Sequence, residues 1–295
     1  MTAKKIPNLF VVGSMKSGSN TLYNYLDEHP DIFMSKRPLK EPRYFVKEMN
    51  WSKGEEWYLS LFEAATSESI LGEASQHYSW QPHYTGVPER IAEFSPEARI
   101  LYIMRDPIER TISHYWWDVQ WSGEGRDMLS AIQSMKHFID VSHYAMQLKP
   151  YIELFGRDRV MAITVEELTQ NTVETLQNIF RWLEVDASFV PATLNRRDNV
   201  SPEKVKKTMG SGVFSHLRGT PVWKAMKTVV PESMRRNLRN VISRPVERDL
   251  TLLEPTKAYL RPIFQQQTVE LGQLLDREFP EWKTLYAEKP SAISS

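Results

Sequence analysis

None of the 295 residues is a cysteine, which excludes disulfides, thiolate-bound zinc and a cysteine nucleophile. Net charge is also absent, with 37 basic residues against 37 acidic ones. Bulk attraction to nucleic acid is therefore not implied, and membrane contact would have to be local and peripheral. No apolar run reaches membrane length, and Met1-Thr-Ala-Lys-Lys-Ile-Pro contains no apolar signal core. From these absences we expect a soluble, cytoplasmic protein. Internal repeats and low-complexity segments are missing too. What remains is an ordinary globular composition, 41% apolar and 25% charged, with ample material for a core.

Four segments dense in branched apolar residues read as buried strands: Leu9–Val12, Ser69–Leu71, Ile100–Met104 and Val160–Val165. Helical patterns fall between them, at Thr21–Leu26, Trp57–Phe62, Pro88–Phe94 and His143–Phe155, and after the fourth strand at Glu174–Leu183. Strands alternating with helices predict an α/β fold of three layers, a mostly parallel central sheet with helices on both faces. Residues 196–250 read differently, as a basic, glycine-punctuated loop followed by a basic helical segment running through Arg235, Arg236, Arg239, Arg244 and Arg248. Apolar residues at helical spacing in Leu252–Trp282 predict a tail that packs back. We expect one domain over 1–295, with the 196–250 region covering the site.

Three constellations carry chemistry. The first is Lys16-Ser17-Gly18-Ser19-Asn20-Thr21, between the first strand and the first helix. That order offers backbone N–H groups and a helix N-terminus to a phosphate. Gly13 and Gly18 have Walker A spacing, but Ser19 stands where that loop needs lysine. A bland alternative is a polar turn with Ser19 or Asn20 as N-cap. The second is Arg105-Asp106-Pro107, running on to Arg110 and Ser113, directly after a strand, where ligands of open α/β sheets sit. Asp106 reads as a helix cap and Pro107 as first-turn proline. The third is Lys40-Glu41-Pro42-Arg43, in which Glu41 is either a surface ion pair or a general base.

Together these segments resemble the PAPS-dependent sulfotransferases, in the broad branch of heparan- and carbohydrate-type enzymes and their bacterial relatives. The resemblance implies a P-loop-like sulfotransferase fold and PAPS as co-substrate, without a metal. It implies that Lys16 to Thr21 cup the 5′-phosphosulfate and that Arg105 and Ser113 hold the 3′-phosphate. Arg218-Gly219 is the nearest match to a further 3′-phosphate element, with Lys204, Lys206 and Lys207 as rivals. Glu41 takes the role of catalytic base, and Lys16 stabilises the leaving oxygen. Lys40, Arg43, His77 and Trp117 are candidates for acceptor contacts.

Alternatives stay open at this point. His77 or His83 is a competing base, as in sulfotransferases that use histidine on small alcohols or phenols. A P-loop kinase or NTPase would share strand, loop and helix but needs a lysine after Gly18. The acceptor is expected to be a carbohydrate, a lipid-linked sugar or a small hydroxyl compound, with no nucleic acid partner. Trp116, Trp117, Trp121 and Trp80 are candidate sugar platforms, with core packing expected for at least two of them.

Overall fold

Every residue of Leu9–Gly13 (β1) is buried, as a central strand covered on both faces requires. The computed structural model describes residues 5–36, 40–194 and 248–287, together with the backbone of 204–208 and 243–247. The other strands of the sheet are Ile32–Met34 (β2), Ile70–Ala74 (β3), Arg99–Met104 (β4) and Val160–Thr164 (β5). They pair in the order β2-β3-β1-β4-β5, all parallel.

Alternation along the strands feeds two cores. Phe10 and Val12 of β1, with Ile100, Tyr102 and Met104 of β4, belong to one apolar cluster; Leu9 and Val11, with Leu101 and Ile103, belong to the other. The first is covered by Val87–Phe94 (α3), Pro107–Trp117 (α4) and Tyr144–Phe155 (α7), through residues such as Ile91, Ile112 and Leu148. The second is covered by Ser19–Asp27 (α1) and Thr172–Leu183 (α9), through Leu22, Leu26, Leu176 and Phe180. Smaller helices lie at Gly54–Ser60 (α2), Met128–Ser134 (α5), His137–Asp140 (α6) and Val165–Gln170 (α8). The expected three layers are present.

Four local readings change. β2 was not anticipated: three residues are too few to show a period. The strand expected at Ser69–Leu71 runs on through Glu73, a buried charge that hides it from an apolar pattern. β5 stops at Thr164, because Thr164 and Glu167 form a reciprocal capping box that starts α8 at Val165. The basic helix expected towards Arg248 is contradicted at Ser243–Glu247 (β7), a strand pairing antiparallel with Lys204–Thr208 (β6). β6 lies beside Asp118–Ser122, a π-helical turn that extends α4. Arg218 and Gly219 lie outside the described residues. The tail does pack back: Leu253–Leu275 (α10) buries Leu260, Phe264 and Leu271, and Trp282 is fully buried against Phe279 and Tyr144. Lys283–Tyr286 (α11) follows. No described helix is long and apolar enough to cross a membrane.

Candidate active site

The loop after β1 turns into α1 at Gly18, whose φ of 87° is left-handed and whose missing side chain leaves room for Val165: a Cβ there would lie 2.8 Å from Val165 Cγ2. Gly18 itself is the N-cap, which replaces the expected cap at Ser19 or Asn20. A glycine cap has no side chain to spend on the first-turn N–H groups, so this helix start is suited to an external anion. Ser14 Oγ and Ser17 Oγ lie 2.6 Å apart and brace the turn from behind.

Lys16 also has a left-handed φ, of 70°. For a non-glycine residue that conformation is uphill and persists only where its surroundings enforce it. Burial pushes the Lys16 ammonium below its usual range, and Arg105, Arg248 and Arg110 push it further. Cations crowded in this way form a standing field for an anion.

Arg105 leaves β4 at its carboxyl end, its backbone carbonyl accepting from Tyr144 O–H at 2.7 Å. Asp106 caps α4, accepting from the N–H groups of Ile108 and Glu109, and so does not pair with Arg105. The guanidinium instead lies 3.5 Å from Glu109. One turn and more along α4, Ser113 and Trp117 face the same space as Arg105. These three line a cavity of about 480 Å³ with Lys16, Ser17, Gly18, Ser19, Asn20, Thr21, Glu41 and Gln76. Val165, Glu166 and Thr169 close its far side.

Glu41 is held asymmetrically. Arg43 donates to its Oε2 from Nε at 3.0 Å and from Nη2 at 2.5 Å; Gln76 Nε2 approaches the same oxygen at 3.5 Å and His77 Nδ1 at 3.9 Å. Every one of these contacts falls on Oε2, so Oε1 is the oxygen left to take a proton. Arg43 is a third left-handed residue, with φ 50°, and its N–H donates to Ser75 Oγ at 2.9 Å.

Lys40 and His77 stand off the cavity wall. Lys40 Nζ sits over the Tyr23 ring, 3.3 Å from Asn24 Oδ1, on the outer side of α1. His77 is mostly buried, behind Glu41, and stacks on Trp80. Burial and then the Arg43 charge push the His77 imidazole down to about 3, which leaves it neutral and a weak base at physiological pH. His83, the other histidine candidate, pairs with Asp140 at 3.0 Å. Of the tryptophans, Trp116 joins the core and Trp121 is exposed.

His77 makes the stability of the fold depend on pH. Its folded value is depressed, so the native state binds fewer protons than the unfolded chain between about pH 6.5 and 3. The stability it supports is complete above pH 6.5 and is lost as pH falls through that window. Relative to wild type, His77→Gln should suffer about 2–3 kcal/mol less loss between pH 6.5 and 4.5. Urea unfolding at the two pH values measures it; parallel profiles for the two proteins would refute it.

Sequence reasoning missed two features. Arg248 lies beyond β7 in sequence, yet its guanidinium covers Trp116 at 5.5 Å, its Nε is buried without a partner, and its charge reaches Lys16. Only chain reversal brings it there, so no local pattern announces it. The second is His114, Asp118 and His137, whose ligand atoms lie within 4.8 Å of one another, as a metal site would require. The buried Arg110 guanidinium sits 3.2 Å from His114 Nδ1, and a fixed positive charge there opposes a cation. We read the trio as a hydrogen-bonded wall.

A parallel sheet with a glycine-capped loop and a cationic cavity at its carboxyl edge is the setting in which open α/β proteins receive an anionic ligand. More particularly, the chain belongs to the sulfotransferase family: the model described as "Sulfotransferase domain" matches residues 7–251. The fold is similar to the crystal structure of a sulfotransferase from Alicyclobacillus acidocaldarius, with a TM-score of 0.69 at 23% identity, covering 95% of this chain and 99% of that one. Among curated proteins, the chain is 26% identical to carbohydrate sulfotransferase 15 of Rattus norvegicus, over 95% of its own length and 55% of that protein's. It is 23% identical to heparan sulfate glucosamine 3-O-sulfotransferase 3B1 of Mus musculus, over 79% and 60%. A stretch of 119 residues is 35% identical to the membrane-associated sulfotransferase kil1 of Dictyostelium discoideum, over 39% of this chain and 24% of that protein. The chain thus spans between a quarter and three fifths of these curated relatives.

Proposed function

We propose that this protein moves a sulfuryl group from PAPS to a hydroxyl or amine of a carbohydrate or glycolipid acceptor. The observation that carries the reading is that Lys16, Arg105, Ser113 and Glu41, drawn from three separate segments, line one cavity at the carboxyl edge of the sheet. The residues fit the donor by charge: Lys16, Arg105 and Arg248 supply three cations, and the start of α1 supplies N–H groups. The acceptor class is supported by the names of the curated relatives and by Trp117 and Gln76 on the wall beside Glu41. The family's chemistry also sets aside a kinase, whose loop lysine is missing here.

In this reading Glu41 Oε1 removes the acceptor's proton as the acceptor oxygen or nitrogen attacks sulfur. The bridging sulfur–oxygen bond breaks, and Lys16 meets the negative charge left on that oxygen. Arg105 and Ser113 hold the 3′-phosphate. Glu41 is preferred to His77 because the imidazole stands off the cavity wall and its lowered proton affinity makes it a weak base.

Calorimetric titration with adenosine 3′,5′-bisphosphate, 5′-AMP and ATP with magnesium tests the donor. Tight binding of the bisphosphate alone is expected, and preference for ATP with magnesium would overturn the reading. Arg105→Ala should weaken the bisphosphate about 10–100-fold while 5′-AMP changes little, since a lost charge-assisted contact is worth about 1.5–3 kcal/mol. Equal weakening of both nucleotides would remove Arg105 from the 3′-phosphate site.

A further inference from the structure

Glu73, near the end of β3, is a fully buried carboxylate outside the cavity wall. Three hydroxyls surround it: Tyr58 at 2.6 Å and Tyr78 at 2.8 Å on Oε1, and Ser75 at 2.5 Å on Oε2. Two of these hydroxyls are themselves acceptors. Ser75 Oγ receives the N–H of Arg43 at 2.9 Å, and Tyr78 O–H receives the N–H of Phe45 at 3.4 Å. Backbone N–H groups can only donate, so they orient both hydroxyls with their protons towards Glu73. Two hydrogen-bonded relays therefore run from the segment carrying Glu41 and end on one buried carboxylate.

The strained point of that segment is Arg43, left-handed at φ 50° and the residue that grips Glu41 Oε2. Such a conformation must be over-determined by its surroundings. Aromatic packing supplies part of the constraint, since Tyr44 stacks on Tyr58 at 4.5 Å and Phe45 meets Tyr58 edge-on. The polar part is the relay through Ser75.

We propose that Glu73 is a positioning residue for Glu41, fixing the Arg43–Phe45 backbone through Ser75 and Tyr78 and thereby aiming the catalytic carboxylate. The proposal rests on the assignment of Glu41 as base. It requires Glu73 to accept hydrogen bonds, which its ionised form does and a protonated carboxyl does only in part. The titratable groups facing it are Tyr58 from α2, Tyr78 from the turn after β3, Tyr151 from α7 and Glu41. Burial raises Glu73 to about 7 against the pull of its three hydroxyl donors, and the Glu41 charge adds to the rise. Turnover should therefore fall as pH drops below about 7, as the relays lose their terminal acceptor.

The test compares steady-state kinetics of Ser75→Ala, Glu73→Gln, Tyr58→Phe and Glu41→Gln across pH. Ser75→Ala and Glu73→Gln should each lower kcat about 10–100-fold, the cost of a misplaced catalytic group. KM for PAPS should stay within about twofold in both, and the limb near pH 7 should vanish in Glu73→Gln. Tyr58→Phe removes one donor to Glu73 but neither relay, so its plateau kcat should hold while the limb moves to higher pH. Wild-type kcat in folded Ser75→Ala and Glu73→Gln, beside an inactive Glu41→Gln, would overturn the positioning role alone. An active Glu41→Gln would overturn the base assignment and this proposal with it.

Discussion

Replacing Glu41 with glutamine should lower kcat by about 10²–10⁴-fold, the range that a positioned general base contributes. The substitution keeps the side chain's shape and a carbonyl oxygen to receive Arg43, so the grip on the Oε2 position survives in large part. What disappears is the basic Oε1, the oxygen that no described contact occupies. Affinity for adenosine 3′,5′-bisphosphate should barely change, because Glu41 carries no positive charge to the phosphates. Single-turnover transfer from labelled PAPS gives the chemical step and calorimetry gives the affinity. A variant that keeps most of its rate would remove Glu41 from the mechanism and return attention to the histidines.

Lys16→Met should lower kcat by about 10²–10³-fold, as for loss of one preorganised donor at a developing anion. Lys16→Arg should restore little of it: lysine is a compact point charge, and a planar guanidinium cannot occupy the same spot on a left-handed loop. The charge is held in an unfavourable place before the donor arrives, since burial and three arginines lower its affinity for a proton. A bound anion reverses that effect, so donor binding at alkaline pH should be accompanied by proton uptake at Lys16. Titrations in two buffers of different ionisation enthalpy measure it, and Lys16→Met should abolish it. Binding without any proton uptake in the wild type would separate Lys16 from the donor site.

Much of the fold was legible because its determinants are local. β1, β4 and β5 are apolar runs bounded by turns, and Asp106-Pro107 announces the start of α4 in the chemistry of two residues. β2 was not legible, since an edge strand of three residues is specified by its neighbour β3 more than by itself. Glu73 broke the apolar pattern of β3 because its cost of burial is offset by hydroxyls from the turn that follows it, Ser75 and Tyr78, and by Tyr58 of α2.

The sequence by itself determined the parallel three-layer sheet and the family of the chain, because periodicity and motif order are properties of neighbouring residues. Only the tertiary structure decided which of the candidate residues meet. It drew Arg105, Ser113 and Trp117 to the loop around Lys16, left Lys40 on the outer side of α1, buried His77 behind Glu41, and brought Arg248 back from beyond β7. The charge state of a side chain such as His77, Lys16 or Glu73 follows from how much water surrounds it and which charges lie within a few ångströms. Both are set by chain segments tens to hundreds of residues away, so no local pattern can carry them.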